Sequence, residues 1–493
     1  MGLNEQQFSL GKLLENFPAP NGEGCPSGLA QGGVGKTWFK LFTTSSFNIP
    51  YSIFNIPTAG GSYFFIIFPN RFYKPKPLDM SIKTRLLLMN FLEFFVWGSW
   101  LISLGGYMIV TLHFTGGEVG AVYATMGIAS LFMPALMGIV ADRWVNAEKV
   151  LGSLHIIGAI LLIWASTVTD YRMFYLIMLF NSMAFMPTIA LNNTVSYIIL
   201  EKKGFDIVKD FPPIRVWGTI GFIVAMWMVD FLGWTKSPMQ LYVSAGSGLL
   251  LGLYAFTMPA CTRVKIEGIR SFISALGLDA FVLFKRKKMI IFFLFAMLLG
   301  ASLQITNAFG SPFLDDFKNL YPDSFGVQHP NLLISMSQIS ETLFILTIPF
   351  FLKRFGIKNV MLMSIFAWVF RFGLFAYGNP GPGLYLLVLS MIIYGMAFDF
   401  FNISGSLFVE KEADIKIRAS AQGLFMLMTN GIGAYLGGTI SGLVVDYFTS
   451  ATGEKNWHNI WLSFAGYALV LGIIFPLVFR YKHDRNAMEA VKH

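Results

Sequence analysis

The chain has 493 residues, of which 55% are apolar, 16% aromatic and only 13% charged. A soluble domain carries about 25% charged residues, so this composition excludes an ordinary soluble enzyme. The net charge of +9 would suit a nucleic-acid binder, but in so apolar a chain the sign has to be read loop by loop. Two cysteines, Cys25 and Cys261, allow neither a disulfide framework nor a cysteine metal cluster.

Residues 1–79 stand apart. They are rich in Gly, Pro, Asn and Ser, and their longest apolar run, Tyr63 to Phe68, is far too short to span a bilayer. No basic start leads into an apolar stretch and a cleavage site, so the segment is not a signal peptide. The run MSIKTRLLLMNFLEF from Met80 has the look of a natural start. The expectation is that 1–79 is disordered or a non-native extension. Inside it, AQGGVGKT (Ala30 to Thr37) resembles a phosphate-binding loop whose first glycine is replaced. Such a loop follows a buried strand and opens a helix. The preceding NGEGCPSGL supplies no strand, which makes a membrane-anchored NTPase using Gly35, Lys36 and Thr37 the weaker alternative.

From residue 85 onward, apolar runs near the roughly 20 residues a membrane helix needs recur along the chain. They fall near 85–111, 119–140, 150–168, 174–199, 213–234, 240–259, 289–309, 331–352, 359–378, 384–407, 419–445 and 458–479. The fold class expected is an all-α membrane protein with twelve transmembrane helices. From Met80, alternate connections hold 24 basic residues on one side and only Arg172, Lys236, Lys318 and Lys455 on the other. The excess of Lys and Arg puts both termini and the long basic loop in the cytoplasm. This divides the chain into an N-terminal bundle of six helices over 80–260, a cytoplasmic linker over 261–288, a C-terminal bundle of six over 289–480 and a tail over 481–493. In GIVADRWVNAEKVLG, Gly138, Asp142 and Arg143 resemble the loop signature of the major facilitator superfamily. The matching turn of the second half, FLKRFGIKNV, keeps Lys353, Arg354 and Gly356.

Ionisable residues inside spans are expensive and therefore candidates for function. Glu93 is open between a structural hydrogen bond and a part in gating. Asp230 reads as a solvated helix end, Arg371 as a structural or snorkelling side chain, and His155 as hydrogen-bonded structure. Four clusters share a helix face each by their spacing: Arg215, Thr219 and Phe222; Gln304 and Asn307; Gln338 and Glu341; Tyr394 and Phe398. Carboxamides match the mixed donor–acceptor edge of a nucleobase, phenyl rings stack on its face, and a carboxylate accepts from sugar hydroxyls. The plainer alternative is interhelical glue. Glu341 shares a face with Gln338 and suits substrate. Asp399 is therefore favoured as the proton-coupling carboxylate, with Arg215 as the cation that approaches either. No spacing suggests a metal or cofactor. Gly433 with Gly437 and Gly438 with Gly442 predict close helix packing. Pro134, Pro187 and Pro349 interrupt spans tolerably.

The stretches WGSW (Trp97 to Trp100), DFPPIRVWGTIGF (Asp210 to Phe222), LQITN (Leu303 to Asn307), SQISETLFILTIPFF (Ser337 to Phe351), AFDFFNISGS (Ala397 to Ser406) and RASAQG (Arg418 to Gly423) carry a specific resemblance. They are similar to the nucleoside:proton symporter family of the major facilitator superfamily, from Met80 to about His483. Residues 1–79 have no counterpart. The resemblance implies the major facilitator fold and proton-coupled import of purine and pyrimidine nucleosides by alternating access, with no enzymatic activity. It also implies a multi-pass protein of the bacterial inner membrane. Nucleoside contacts fall on Arg215, Thr219, Phe222, Gln304, Asn307, Gln338, Glu341, Tyr394 and Phe398, the residues chosen by spacing. Partners are then nucleosides, protons and the lipid bilayer, not nucleic acid, and a monomer is expected. A sugar or polyol symporter of the same fold is the alternative. A channel is disfavoured by the lack of a charged ring or carbonyl-rich filter.

Overall fold

The structure, a computed structural model, describes residues 51–57, 63–69, 81–262 and 278–481. The chain divides into two units, Met1–Asp79 and Met80–His493. In the first, β1 (Tyr51–Pro57) pairs antiparallel with β2 (Tyr63–Pro69), Tyr51 opposite Pro69 and Pro57 opposite Tyr63. Both runs are dense in β-branched and aromatic residues, which favour a pleated backbone. Ala30 to Thr37 lies outside the described residues.

The second unit is helical, and each apolar run named above coincides with helix. α1 is Ile82–Gly98, extended by Leu104–Gly106 and a π-helical turn, Tyr107–Thr111. α2 (Gly116–Arg143), α3 (Ala147–Ala165), α4 (Tyr171–Lys202), α5 (Ile207–Phe231) and α6 (Met239–Ala255) complete the first half. The second half opens with α7 (Lys287–Asp315). Pro330–Tyr377 is then one helical run broken at Gly356, whose φ of 75° and ψ of 166° are non-helical. The break separates α8 (330–355) from α9 (357–377) at the FLKRFGIKNV turn, because glycine alone takes positive φ without penalty. α10 is Leu384–Glu412. α11 runs from Arg418–Met426 through a π-helical turn, Leu427–Gly433, into Ala434–Tyr447, and α12 is Trp457–Val478. Eight of these helices, counting 330–377 once, are long and apolar enough to cross a membrane.

Helix starts follow local chemistry. Thr115 caps α2 in a reciprocal box, its Oγ1 accepting from Glu118 N while Glu118 Oε2 accepts from Thr115 N. This arrangement satisfies two of the orphan donors at a helix start. Asp170 does the same for Met173 N at the head of α4. Within the first half, α1 packs on α5 and α6, and α3 on α4 and α6. Within the second, α8 and α9 pack on α10 and α12. The halves meet along α2 with α11 and along α5 with the 330–377 run.

Candidate functional site

The first half contributes α5. Arg215 lays its guanidinium over the Phe94 ring, 4.0 Å from the centroid, a cation–π contact worth about 0.5–2 kcal/mol. Phe222, two turns on, meets Trp97 edge-to-face at 6.1 Å. Thr219 sits between them, half-buried. Trp97 was part of a quoted motif but was not picked out as a site residue. Its indole Nε1 is buried without a hydrogen-bond partner among the described residues.

The second half contributes α7, α8 and α10. On α7, Asn307 Nδ2 approaches Gln304 Oε1 at 3.5 Å, with Gln304 buried and Asn307 half-buried. On α8, the Gln338 side chain lies beside the Tyr394 hydroxyl of α10. Tyr394 and Phe398 stack with planes 3° apart and centroids at 5.9 Å. Arg371 of α9 stands 4.5 Å over the Tyr394 ring. It is buried rather than snorkelling, and its Nη1 donates to Ser390 O at 2.9 Å. Phe398 also lines a small pocket with Leu303, Trp368 and Asn402, which brings α10 beside the amide-bearing face of α7.

Across the halves, Arg215 lies within electrostatic reach of Glu341, and Glu341 within reach of Asp399. Asp399 is 4% exposed, and its Oδ2 has no hydrogen-bond partner among the described residues. Glu341 thus links the guanidinium of the first bundle to the second carboxylate of its own bundle. Among the described residues, no three His, Cys, Asp or Glu side chains are placed to hold a metal.

One end of the bundle is sealed by bonds between the halves. Asp446 of α11 accepts from Gly116 N and Gly117 N at the start of α2, both at 2.6 Å. Asp230 of α5 accepts from Asn331 N at 2.7 Å and Leu332 N at 3.2 Å at the start of α8, and faces His329 Nδ1 at 2.8 Å. Lys236 pairs with Asp315 at 2.7 Å, and Trp227 Nε1 donates to Ser335 Oγ at 2.8 Å. Asp230 is therefore no solvated helix end. It is 4% exposed, and its charge is met by the exposed N–H groups of a facing helix. Backbones touch behind this seal. A Cβ on Gly120 would lie 2.2 Å from Gly438 O, and one on Gly442 2.4 Å from Gly116 O. Farther along, the contact fades. α2 buries nothing between Ala129 and Ala141, nor α8 between Ser340 and Ile348. The seal went unnoticed in the sequence. A faint signal was there in Gly116, Gly120 and Gly127, which repeat down α2 as the glycines do in α11.

The sequence model of a family described as Nucleoside H+ symporter matches residues 80–484. The xanthosine permease of Escherichia coli (strain K12) is 58% identical over 417 residues, 84% of this chain and 99% of that protein. The nucleoside permease NupG of the same organism is 56% identical over 419 residues, 84% of this chain and 100% of that protein. A crystal structure of the nucleoside transporter NupG aligns with a TM-score of 0.77, covering 82% of this chain and all of that one. A bacterial homolog of the human lysosomal transporter Spinster, in an inward-facing and unoccupied conformation, shares the fold at 13% identity and a TM-score of 0.61.

Proposed function

The chain belongs to the nucleoside H+ symporter family, and from that premise we propose how it imports nucleosides with protons. The protein is a multi-pass membrane transporter of the major facilitator fold and not an enzyme. Its twelve helices form two bundles, 80–260 and 289–480, joined by the linker 261–288 and followed by the tail 481–493. The basic connections face the cytoplasm of a bacterial cell. The sealed end then faces outward, and α2 and α8 part toward the cytoplasm in an inward-facing state. The working unit is a monomer in the lipid bilayer of the inner membrane.

A purine or pyrimidine nucleoside binds midway between the bundles. Its base lies against Phe222 and the Tyr394–Phe398 stack, and its edge is read by Gln304, Asn307 and Gln338. Glu341 accepts from ribose hydroxyls, with Thr219 and Arg215 closing the site from the other bundle. The observation that carries this reading is the Arg215–Glu341–Asp399 relay: a cation on one half within electrostatic reach of Glu341 on the other, and Glu341 within reach of Asp399, next to amides and stacked rings. Such a group changes its pairing whenever the bundles rock about the midplane. Asp399 carries the proton, Glu341 holds sugar, and Arg215 answers to both. One proton crossing 100 mV supplies about 2.3 kcal/mol. Uptake of labelled uridine, adenosine and xanthosine into proteoliposomes, with and without an imposed pH gradient, tests it. Gradient-driven accumulation of all three is expected, and accumulation of ribose in preference to them would defeat the nucleoside assignment.

A further inference from the structure

A second ionisable group, which the nine contacts leave unused, lies inside the first bundle. Glu93 of α1 and His155 of α3 are 0% and 3% exposed, and Glu93 Oε2 faces His155 Nε2 at 2.8 Å. Thr188 of α4 donates its hydroxyl to Glu93 Oε1 at 2.6 Å. The imidazole also borders a small cavity lined by Trp100, Asn181 and Ser244, so polar groups flank the ring away from Glu93. Three helices converge on one carboxylate, and neither bonded partner is a permanent charge.

The net charge of the pair therefore turns on a single proton. With one proton, on Oε2 or on Nε2, it is neutral overall; without it, the pair carries −1. A buried charge of that kind needs a counter-ion. The cation within electrostatic reach of Glu93 is Arg215, the same side chain that faces Glu341. Among the described residues, α6 brings Ser244, bonded to Val96 O, and α4 also brings Asn192, bonded to Asn90; neither is charged. α1 and α5 move as one, because their backbones touch: a Cβ on Gly221 would lie 2.2 Å from Phe91 O. Any change in the pull on Arg215 is then felt at its far end, toward Glu341.

We propose that Glu93 and His155 form a second protonation site that positions Arg215, holding it toward the first bundle when deprotonated and releasing it toward Glu341 on gaining a proton. The proton is exchanged with water, and no bond other than that to hydrogen changes. This rests on the proton-coupled reading above. The test is nucleoside uptake by the full-length protein in proteoliposomes across about pH 5–8. His155→Gln keeps a donor toward Glu93 but cannot titrate. Thr188→Val keeps the branched shape and removes the hydroxyl. Each is expected to move the midpoint of the pH profile by about one unit or more, Thr188→Val in the alkaline direction because the carboxylate loses a donor. Where His155→Gln fails to reach the membrane, Thr188→Val decides alone. Midpoints that superimpose on the wild type overturn the role of the pair. A flat wild-type profile would overturn proton coupling itself.

Discussion

Asp230 and Asp446 hold equivalent places: each ends the helix that crosses to the other bundle, and each caps the first N–H groups of the helix it meets there. The first bundle thus lends a carboxylate to α8, and the second lends one to α2. A carboxylate at a helix N-terminus is worth roughly 0.3–1 kcal/mol, and up to about 2 kcal/mol when partly buried. The two caps together hold this end of the bundle shut while leaving the closure reversible.

Removing either carboxylate should release the seal. With Cys25 and Cys261 replaced, a cysteine at Ser441, which is 1% exposed, reports on it. Asp446→Ala and Asp230→Ala are each expected to raise its labelling by an external, membrane-impermeant thiol reagent about fivefold, as a loss of about 1 kcal/mol implies. The double variant should multiply the two effects, since the caps share no partner. Labelling unchanged in all three would mean that the glycine contacts alone keep the outer side closed.

The amides should matter to affinity more than to folding. Gln304→Ala or Gln338→Ala removes a buried partner from the nucleoside, a loss of on the order of 1–3 kcal/mol, or about 5- to 150-fold in Kd. Calorimetric titration of purified protein with uridine measures it. Gln338 also lies beside the Tyr394 hydroxyl, so its variant should also loosen the ring stack. Wild-type affinity in both variants would return these residues to interhelical glue.

The helices and the shared faces of the candidate residues could be read from the sequence because both depend on short-range pattern. Apolar length marks a span, and spacing of three or four puts Gln338 with Glu341, or Tyr394 with Phe398, on one face. The seal could not be read in this way. Asp230 meets Asn331 and Asp446 meets Gly116, partners remote in the chain, and a carboxylate at the end of an apolar run looks solvated until its acceptor geometry is known. Arg371 stays open between a structural and a snorkelling reading for the same reason: its long stem allows either, and only the meeting of Ser390 O and the Tyr394 ring shows that it is held inside. The Glu93–His155 pair needed three helices to meet before either residue had a partner.

Ring stacking should separate nucleosides from sugars. Tyr394 is fixed from behind by Arg371 and Trp368, whereas Phe398 is half-buried and borders the pocket beside Leu303. Base stacking on an aromatic ring is worth about 1–3 kcal/mol. Phe398→Leu is expected to weaken uridine binding by that amount and to leave competition by free ribose as poor as before, narrowing the gap between the two. A gap of undiminished width in a competition assay would place the base elsewhere.

Proton drive should be separable from binding at Asp399. It is adjacent to Phe398 but points about 100° away around the helix, so it need not touch the ligand. On the second bundle Arg215 reaches Glu341, and Glu341 lies beside Asp399, so one positive charge balances only one carboxylate of that pair. The other is neutral only when protonated. In the mechanism proposed above, rocking the bundles moves Arg215 relative to this pair, so that the proton is taken up on one side of the membrane and released on the other. Asp399→Asn mimics the permanently protonated form. It is expected to bind uridine within a few-fold of wild type and to exchange labelled for unlabelled uridine across vesicles without a gradient. It should not accumulate uridine when a pH gradient is imposed. Each pH unit is worth about 1.4 kcal/mol, or about tenfold accumulation for one proton, so the wild type should concentrate substrate roughly tenfold where the variant only equilibrates. Normal accumulation by Asp399→Asn, with loss of drive alone in Glu341→Gln, would reverse the two roles. Normal accumulation by both would move the proton off these carboxylates altogether.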